Sequence, residues 1–262
     1  DVMVDVVGEE VEDVPYYGLM DSEIGGADVL ISQTGFSGEE GFEVYVKDAH
    51  ENAEKVWDPV HDSVVDHGGR QIAPGHHRRI AAGIMSWGQD LDFETSPFQV
   101  NLGYQVPDDK DADYIGKEAL EEQKEQIENG NYPFTHKLIG LKMAGEPIRD
   151  YAPDFWLISD PDTGEECGYI TSPWWNPDLE TNIAMGHVPA EKIEEVTDTP
   201  LNDEIYDEEL DLEFEVHLPD EYSEEPGEPT YATVAKVPFK ESVNPSAREQ
   251  AKLNARKEAQ NE

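Results

Sequence analysis

QTGFSGEEGFEVY, residues 33–45, places three glycines within seven residues, between two stretches whose residue patterns predict β-strands. Glycine permits positive φ angles and a close approach of the backbone. Glu43 falls one step into the second strand, on the face opposite Phe42 and Val44. Two interpretations are open: a hairpin turn with a solvent-facing glutamate, or a carboxylate that accepts paired hydrogen bonds from a flat heterocycle.

The composition indicates a folded but strongly acidic protein. The 262 residues include 18 Lys+Arg and 60 Asp+Glu, a formal net charge of −42, and 37% are hydrophobic. This hydrophobic fraction disfavours intrinsic disorder, and the acidity disfavours unaided binding to nucleic acids or anionic membranes. An acidic surface over an ordinary core predicts adaptation to high salt, because the Debye length falls to ~3 Å at molar salt and repulsion between carboxylates is screened.

The cysteine count and the hydropathy pattern predict a cytoplasmic protein. Cys167 is the single cysteine, which excludes an intrachain disulfide and fits a reducing compartment. No stretch is long and apolar enough to span a bilayer, and no signal peptide is visible. The chain starts without Met, in mid-pattern, at DVMV (residues 1–4), and we therefore expect that an N-terminal portion is missing.

The predicted secondary structure changes character along the chain. Its first half mixes strands at residues 2–7, 27–32 and 42–46 with helices at 50–67, 74–85 and 117–129. Pro59 lies inside the helix predicted at 50–67, so a kink or two shorter helices are expected there. Six short strands follow, at residues 137–143, 155–159, 168–172, 183–188, 210–218 and 231–237. Their Gly, Pro and Asp turns predict a small antiparallel barrel or sandwich.

Several segments, taken in chain order, resemble one protein family. TGFSGEEGFE at residues 34–43 resembles the signature of the T protein of the glycine cleavage system and its relatives. Further segments resemble landmarks of the same family: GIMSWGQD at 83–90, SPF and LG within 96–103, YIGKEAL at 114–120, GYITSP at 168–173, NIAMGHVP at 182–189 and VPF at 237–239. Short glycine-rich strings recur by chance, but their shared order identifies the chain as a member of this family.

The resemblance implies an α+β fold, in which the C-terminal part of the family's folate-binding domain is followed by a small antiparallel β-barrel domain. The expected division is a folate-binding part at 1–106, a linker and helix at 107–135, the barrel at 136–240 and a polar tail at 241–262. The tail carries Arg248, Lys252, Arg256 and Lys257 at helical spacing. A solvated helix or disorder is expected there, with partner binding as the alternative.

The resemblance also implies a folate-dependent enzyme that passes a one-carbon group from a donor to tetrahydrofolate. In that family picture Glu43 matches the pterin-binding glutamate, whose carboxylate takes two hydrogen bonds from the aminopyrimidine side of the ring. Phe36 and Trp87 match places near the bound folate, with core packing as the alternative for both. The family's catalytic aspartate is expected upstream of residue 1, so no catalytic residue is assigned, and no metal is expected.

Positions before the GIMSWGQD segment separate the chain from the glycine-cleavage branch. That branch has an Arg-Asp pair, then a second Arg and a Glu, where this chain has Gly75-His76, Arg79 and Ala81. Pro74, Arg79 and Ser86 resemble instead the branch that demethylates dimethylsulfoniopropionate or aryl methyl ethers with tetrahydrofolate. We therefore expect transfer of a methyl group from a small-molecule donor.

Alternatives stay open for the function and for individual residues. The chain can instead be the aminomethyltransferase of the glycine cleavage system, with a lipoylated carrier protein as partner, or a non-catalytic folate-binding protein of assembly or regulation. Arg78 or Arg79 can bind the carboxylate tail of folate or an acidic donor, or form a structural ion pair. Trp174-Trp175 would suit an aromatic or cationic donor, with core burial as the alternative.

Overall fold

The computed structural model describes residues 1–107, 110–150, 154–225 and 227–239. By internal packing the chain divides into two units, Asp1–Gly75 and His76–Glu262, and each is described by itself. The division into domains predicted from the sequence, with its linker at 107–135, stays a prediction, and the cations of the predicted tail lie outside the described residues. No helix in the described ranges is long and apolar enough to cross a membrane.

The first unit packs helices against a small antiparallel sheet. Within residues 1–75, all of them described, the helices are α1 (Val2–Val7) and α2 (Ala49–Asp66), and the sheet has three strands, β1 (Leu19–Ile24), β2 (Ala27–Ser32) and β3 (Glu43–Val46), in that spatial order. Short 3-10 turns at Glu9–Asp13 join α1 to the sheet. Inward-facing residues of the strands, of α2 and of the 3-10 turns form the core, which consists of Val11, Ile24, Ala27, Val29, Ile31 and Val56.

Residues 2–7 form α1, so the strand predicted there is wrong. The sequence VMVDVV favours extended backbone because valine is β-branched. The segment nevertheless packs on α2, where Met3 and three of its valines cover the core of the unit. Gly8, with φ of 107°, ends the helix. Tertiary packing has overridden the local preference of these residues.

The other elements predicted in this unit are confirmed, with one addition. The strands predicted at 27–32 and 42–46 are β2 and β3, and the helix predicted at 50–67 is α2. α2 is a single helix that contains Pro59, so the expectation of two shorter helices is wrong. The sequence did not predict β1, which pairs with β2 through the turn Gly25-Gly26. Both glycines have positive φ, 59° and 78°, which side chains other than glycine rarely adopt.

The second unit is built around a closed antiparallel barrel. In its described part the strands are β4 (His136–Met143), β5 (Trp156–Ser159), β6 (Glu166–Ile170), β7 (Trp174–Asn176), β8 (Thr181–Pro189), β9 (Glu213–Val216) and β10 (Thr230–Ala235). Six of the described strands follow the order β4-β10-β9-β5-β6-β8, and pairing of β8 with β4 closes the barrel, while β7 adds to β8. The predicted α+β class and the predicted small antiparallel barrel are thus confirmed.

The six strands predicted in this unit correspond to β4, β5, β6, β8, β9 and β10, and the helix predicted at 117–129 is α4 (Lys117–Glu128). Two elements were not predicted, β7 and the helix α5 (Ala190–Val196) that follows β8. The helix predicted at 74–85 is shorter and forms α3 (His76–Ala81). It ends early because Gly83 takes a positive φ of 76° and the Ile84 N–H bonds back to the Arg79 carbonyl.

Two hydrophobic clusters fix the elements of this unit. Alternate residues of β4, including Ile139 and Leu141, point into the barrel with Phe214 and Val216 of β9. Leu138 lies on the other face of β4, where it packs with Ile80 of α3 and residues of β8 in a second cluster. This second cluster places α3, and the loop that follows it, against the outside of the barrel.

The hairpin turn of the first unit gives a test of the fold. An alanine Cβ at Gly25 would overlap the backbone carbonyl of Lys55, whereas one at Gly26 would have no atom within 4 Å. Both substitutions place a side chain at positive φ, so Gly26→Ala is the matched control. We expect Gly25→Ala to lower the free energy of unfolding by about 1–3 kcal/mol more than Gly26→Ala, measured by urea unfolding. Equal losses for the two variants would contradict the close approach of Gly25 to the Lys55 carbonyl.

Candidate functional site

Glu43 lies at the start of β3, on the face of the sheet that is turned away from the core. Phe42 and Val44 pack against the core, while the half-buried Glu43 carboxylate accepts hydrogen bonds from the hydroxyls of Thr34 and Tyr45. Both hydroxyls contact Oε2, and Oε1 has no partner among the described residues. The carboxylate is therefore held in orientation through one oxygen, while the other remains available as a hydrogen-bond acceptor.

The glycine-rich turn exposes an aromatic ring next to this strand. Gly38 requires positive φ, at 71°, whereas a Cβ at Gly35 or at Gly41 would have no atom within 4 Å. Phe36 is 51% exposed, so the alternative of core packing does not describe it. Phe36 and Glu43 share the first unit, and Trp87 and Arg79 share the second, so each pair is described by itself.

Arg79 is buried at the base of α3, with 1% of its side chain exposed. Its Nε donates to His76, Nη1 donates to the Ile84 carbonyl and to Asp90, and Nη2 donates to Gln89 and Ser172, over distances of 2.7–3.2 Å. All five N–H donors of the guanidinium therefore have acceptors inside the unit. This geometry favours a structural ion pair over the alternative of contact with a ligand carboxylate.

Asp90 joins segments that are far apart in the sequence. Its carboxylate accepts from Arg79 at 2.9 Å, from the Ser86 N–H at 2.7 Å, and from the hydroxyls of Thr171 and Ser172 at 2.5 Å each. These hydroxyls follow β6, so the ion pair fixes the loop after α3 to the end of a barrel strand. The sequence did not single out Asp90, Thr171 or Ser172. They occur inside the quoted motifs, and no spacing indicates that these motifs meet.

Two histidines adjoin this buried ion pair. His187 of β8 donates through Nε2 to the Asp90 carbonyl at 2.9 Å, its ring stacks on Tyr169, and burial lowers its pKa. His76 accepts from Arg79 and packs on Trp174, with ring centroids 5.1 Å apart. Burial and then the Arg79 charge lower the pKa of His76. Both imidazoles are thus held in the neutral form near pH 7.

Trp87 lies on the loop that Asp90 anchors, and 59% of it is exposed. Its indole meets the ring of Phe93 edge to face, with centroids 4.8 Å apart. Core packing therefore does not describe Trp87. Trp174 and Trp175 are half-buried, and Trp174 packs against the cluster beneath α3, so the predicted exposed tryptophan pair is partly covered.

The structure gives little support to a cysteine nucleophile or to a metal site. Cys167 borders a groove of about 610 Å³ beside α5, and burial raises the pKa of its thiol, which disfavours a nucleophilic thiolate. Within the described ranges, no group of three or more His, Cys, Asp or Glu side chains is arranged to hold a metal ion.

The Arg79–Asp90 pair gives a prediction about stability. Asp90→Ala leaves the guanidinium buried without its counter-charge, and we expect a loss of about 3–5 kcal/mol in the free energy of unfolding. Glu209→Ala is the matched control, because Glu209 and Lys142 form an ion pair in the same unit with 71% and 42% of their side chains exposed. A loss of no more than about 1 kcal/mol is expected there. Similar losses of unfolding free energy for the two variants, measured by urea unfolding, would contradict a larger contribution of the buried Arg79–Asp90 pair.

The lowered pKa of His187 gives a prediction about pH. Its pKa in the folded chain lies below the ordinary value of about 6.5. As the pH falls through about 6.5, the unfolded chain therefore binds a proton at this histidine before the folded chain does. The contribution of neutral His187 to the free energy of unfolding is therefore complete above about pH 6.5 and decreases as the pH falls below that value. We expect His187→Gln to flatten the dependence of the free energy of unfolding on pH between about 7.5 and 5.5. His50→Gln, at a side chain 78% exposed, should leave the slope unchanged.

Comparison with known proteins gives a consistent result for sequence and fold. Residues 1–110 match a protein-family model described as the GCVT N-terminal domain. An aminomethyltransferase of Thermotoga sp. (strain RQ2) is 33% identical over 190 residues, 72% of this chain and 48% of the relative. An aminomethyltransferase of Desulfitobacterium hafniense (strain Y51) is 35% identical over 181 residues, 68% of this chain and 46% of the relative. The chain spans about half the length of the curated relatives it matches.

A solved structure shares the fold. It is the crystal structure of the glycine cleavage system aminomethyltransferase T from Bartonella henselae, with a TM-score of 0.62 and 23% identity, and the match covers 88% of this chain and 54% of that one. This likeness confirms the predicted fold class. The curated relatives are named as transferases, which agrees with the enzyme class expected from the sequence. The family model and the relatives show that this chain is similar to proteins of the glycine cleavage T family, and the shared fold agrees with that similarity.

Proposed function

We propose that this chain binds tetrahydrofolate as part of a one-carbon transferase, and that Glu43 holds the pterin ring. The observation that carries this proposal is the half-buried Glu43 carboxylate, whose Oε1 has no partner among the described residues. It lies within the 110 residues that match the GCVT N-terminal domain. An aminopyrimidine edge presents two N–H donors in a plane. Oε1 can accept one of them, and Oε2 can accept the other in place of the Tyr45 hydroxyl, whose hydrogen bond is long at 3.3 Å.

The residues around Glu43 would orient the ligand before reaction. The Thr34 and Tyr45 hydroxyls limit rotation of the carboxylate, and a ring bound there would be placed with little loss of side-chain entropy. Tetrahydrofolate itself supplies the nitrogen that accepts the one-carbon group. Phe36, exposed in the neighbouring turn, is our candidate for packing against the folate.

A methyl group from a small-molecule donor is the transferred group that we favour. The supporting observation is Gly75-His76, which stands where the glycine-cleavage branch has an Arg-Asp pair. Arg79 does not replace the lost cation, because its donors are used inside the unit. The second candidate is aminomethyl transfer with a lipoylated carrier protein as partner, and the names of the relatives favour it.

The cellular setting is also proposed. A net charge of −42 and a single cysteine fit a cytoplasm of high salt content, where screening relieves the repulsion between carboxylates. The experiments on binding are therefore designed for molar salt.

Binding of tetrahydrofolate tests the proposed role of Glu43. Calorimetric titration in molar KCl should show binding to the unmodified chain, and Glu43→Gln should weaken it about 10- to 150-fold, the value of hydrogen bonds to a charged group. Glu40→Gln, at an exposed acid of the same turn, is the matched control and should leave the affinity unchanged. Absence of binding to the unmodified chain would overturn the proposed function. Equal affinities for the two variants would remove Glu43 from the site.

The identity of the one-carbon donor is tested separately, by measuring turnover of candidate donors. Dimethylsulfoniopropionate, an aryl methyl ether and an aminomethylated lipoyl carrier are offered with tetrahydrofolate. Methyl transfer from a small molecule supports the favoured candidate, and transfer from the carrier alone supports the second. No catalytic residue is assigned within this chain, so turnover is measured with the full-length protein. Binding of tetrahydrofolate by that protein without turnover of any donor would favour a non-catalytic folate-binding protein, the third possibility raised by the sequence.

A further inference from the structure

Ser32 carries a buried hydroxyl on the outward face of the small sheet. It pairs with Glu43 across β2 and β3, so the two side chains lie on the same face. Ala27, Val29 and Ile31 of the same strand point the other way, into the core. Ser32 is nevertheless only 2% exposed, and a polar side chain that is buried in this way requires hydrogen-bond partners.

The partners of Ser32 form a chain of hydroxyls that ends at Glu43. Oγ of Ser32 lies 3.4 Å from the Gly18 carbonyl oxygen and 2.9 Å from Oγ1 of Thr34. The Thr34 hydroxyl in turn contacts Oε2 of Glu43. The Gly18 carbonyl also accepts from the N–H of Gln33, at 3.2 Å. All of these residues belong to the first unit.

The carboxylate sets the direction of hydrogen bonding along this chain. A hydroxyl has a single proton to donate, and an ionised carboxylate only accepts. Thr34 therefore donates to Glu43, and its oxygen accepts from Ser32. The Ser32 proton is used in the 2.9 Å contact, while the Gly18 carbonyl keeps the Gln33 N–H as its donor. Thr34 is thus held from two sides, because it accepts one hydrogen bond and donates another.

The contact between Thr34 and Glu43 is the one that remains when a ligand enters. In the proposed complex the ring donates to Oε1 and takes the place of the Tyr45 hydroxyl, at 3.3 Å, on Oε2. Oε2 then accepts from Thr34 and from the ring at the same time. The position of the Thr34 hydroxyl therefore limits the plane in which the carboxylate can receive the ring.

We propose that Ser32 is a positioning residue, which acts through Thr34 to hold the Glu43 carboxylate in the plane of a ring edge with two adjacent N–H donors. The inference rests on the proposed function, because the pterin ring has such an edge. Ser32 does not touch the ring, and its effect on affinity passes through Thr34.

The rotamer of Thr34 tests the chain of hydroxyls without any ligand. Three-bond couplings from its methyl carbon to its backbone nitrogen and carbonyl carbon report χ1 in the isotope-labelled chain in molar KCl. We expect the values of a single rotamer in the unmodified chain and averaged values in Ser32→Ala. Ser63→Ala is the matched control, because Ser63 is also buried in this unit and donates to the Val2 carbonyl at 3.3 Å. A single Thr34 rotamer in Ser32→Ala would overturn the proposal.

Titration with two ligands tests the effect on binding. Tetrahydrofolate and isocytosine, which carries the aminopyrimidine edge alone, are titrated in molar KCl. We expect Ser32→Ala to weaken binding about two- to twelvefold, the value of one neutral hydrogen bond, and Ser63→Ala to leave it unchanged. Thr34→Val should weaken binding more, because the lost bond is to a charged group, and Thr34→Ser should retain most of the affinity. Equal weakening by Thr34→Ser and Thr34→Val would contradict a role of the hydroxyl.

A double-mutant cycle separates action through Thr34 from a general loss of structure. Ser32→Ala should have no further effect on affinity in the Thr34→Val background. Weakening by the same factor in both backgrounds would overturn the positioning role. If Ser32→Ala does not fold, Ser32→Cys takes its place in every measurement, because a thiol is a weaker hydrogen-bond donor than a hydroxyl.

Failure of the inference and failure of the proposed function can be told apart. If tetrahydrofolate binds and Ser32→Ala binds it as tightly as Ser63→Ala, the proposed function stands and the inference falls. If isocytosine binds but tetrahydrofolate does not, the proposed function falls, and the affinities of the same two variants for isocytosine decide the inference. If neither ligand binds to the unmodified chain, both fall.

Discussion

The buried ion pair between Arg79 and Asp90 is the constraint on which the organisation of the second unit depends. Each charge loses its hydration on burial, at a cost of several kcal/mol, and the pair is stable only if every donor and acceptor is satisfied. Meeting that requirement uses a carbonyl, a histidine, a glutamine and two hydroxyls from three parts of the chain. The position of α3, the path of the following loop and the end of β6 are therefore linked through one guanidinium.

The same constraint assigns different roles to adjacent residues. Arg79 faces inward and is fully hydrogen-bonded, whereas Arg78 beside it is exposed and has no ion pair within the described residues. On the loop, Asp90 is buried while Trp87, three residues earlier, faces outward. Neighbouring residues thus differ in burial and in hydrogen bonding, and in the loop after α3 the buried polar group holds the exposed aromatic one in place. Glu43 in the first unit follows a related pattern, with hydroxyls that hold one oxygen of its carboxylate.

The barrel was predictable from the sequence, because its strands are short, punctuated and apolar on alternate residues. The N-terminal helix was not, since VMVDVV has the composition of a strand and becomes helical through contact with α2. In the candidate site, the face of β3 on which Glu43 lies could be predicted from the sequence. Side chains alternate between the two faces of a strand, and this alternation can be read from neighbouring residues alone. Asp90 could not be predicted, because its partners Thr171 and Ser172 lie more than 80 residues away and only the closed barrel brings them near. Arg79 was singled out from the sequence, but its burial depends on the same distant contacts.

The open sheet of the first unit has a consequence for how the chain meets other molecules. A closed barrel has no free edge, whereas β1 and β3 each lack a neighbour on one side among the described residues. Free edges invite pairing with another chain. Along β1 the exposed carboxylate of Glu23 opposes this by repelling a second copy, whereas that of Asp21 is paired with Lys47 at 3.1 Å. That protection is electrostatic, so it weakens as ionic strength rises, and solubility at high salt then depends on the shortness of these strands.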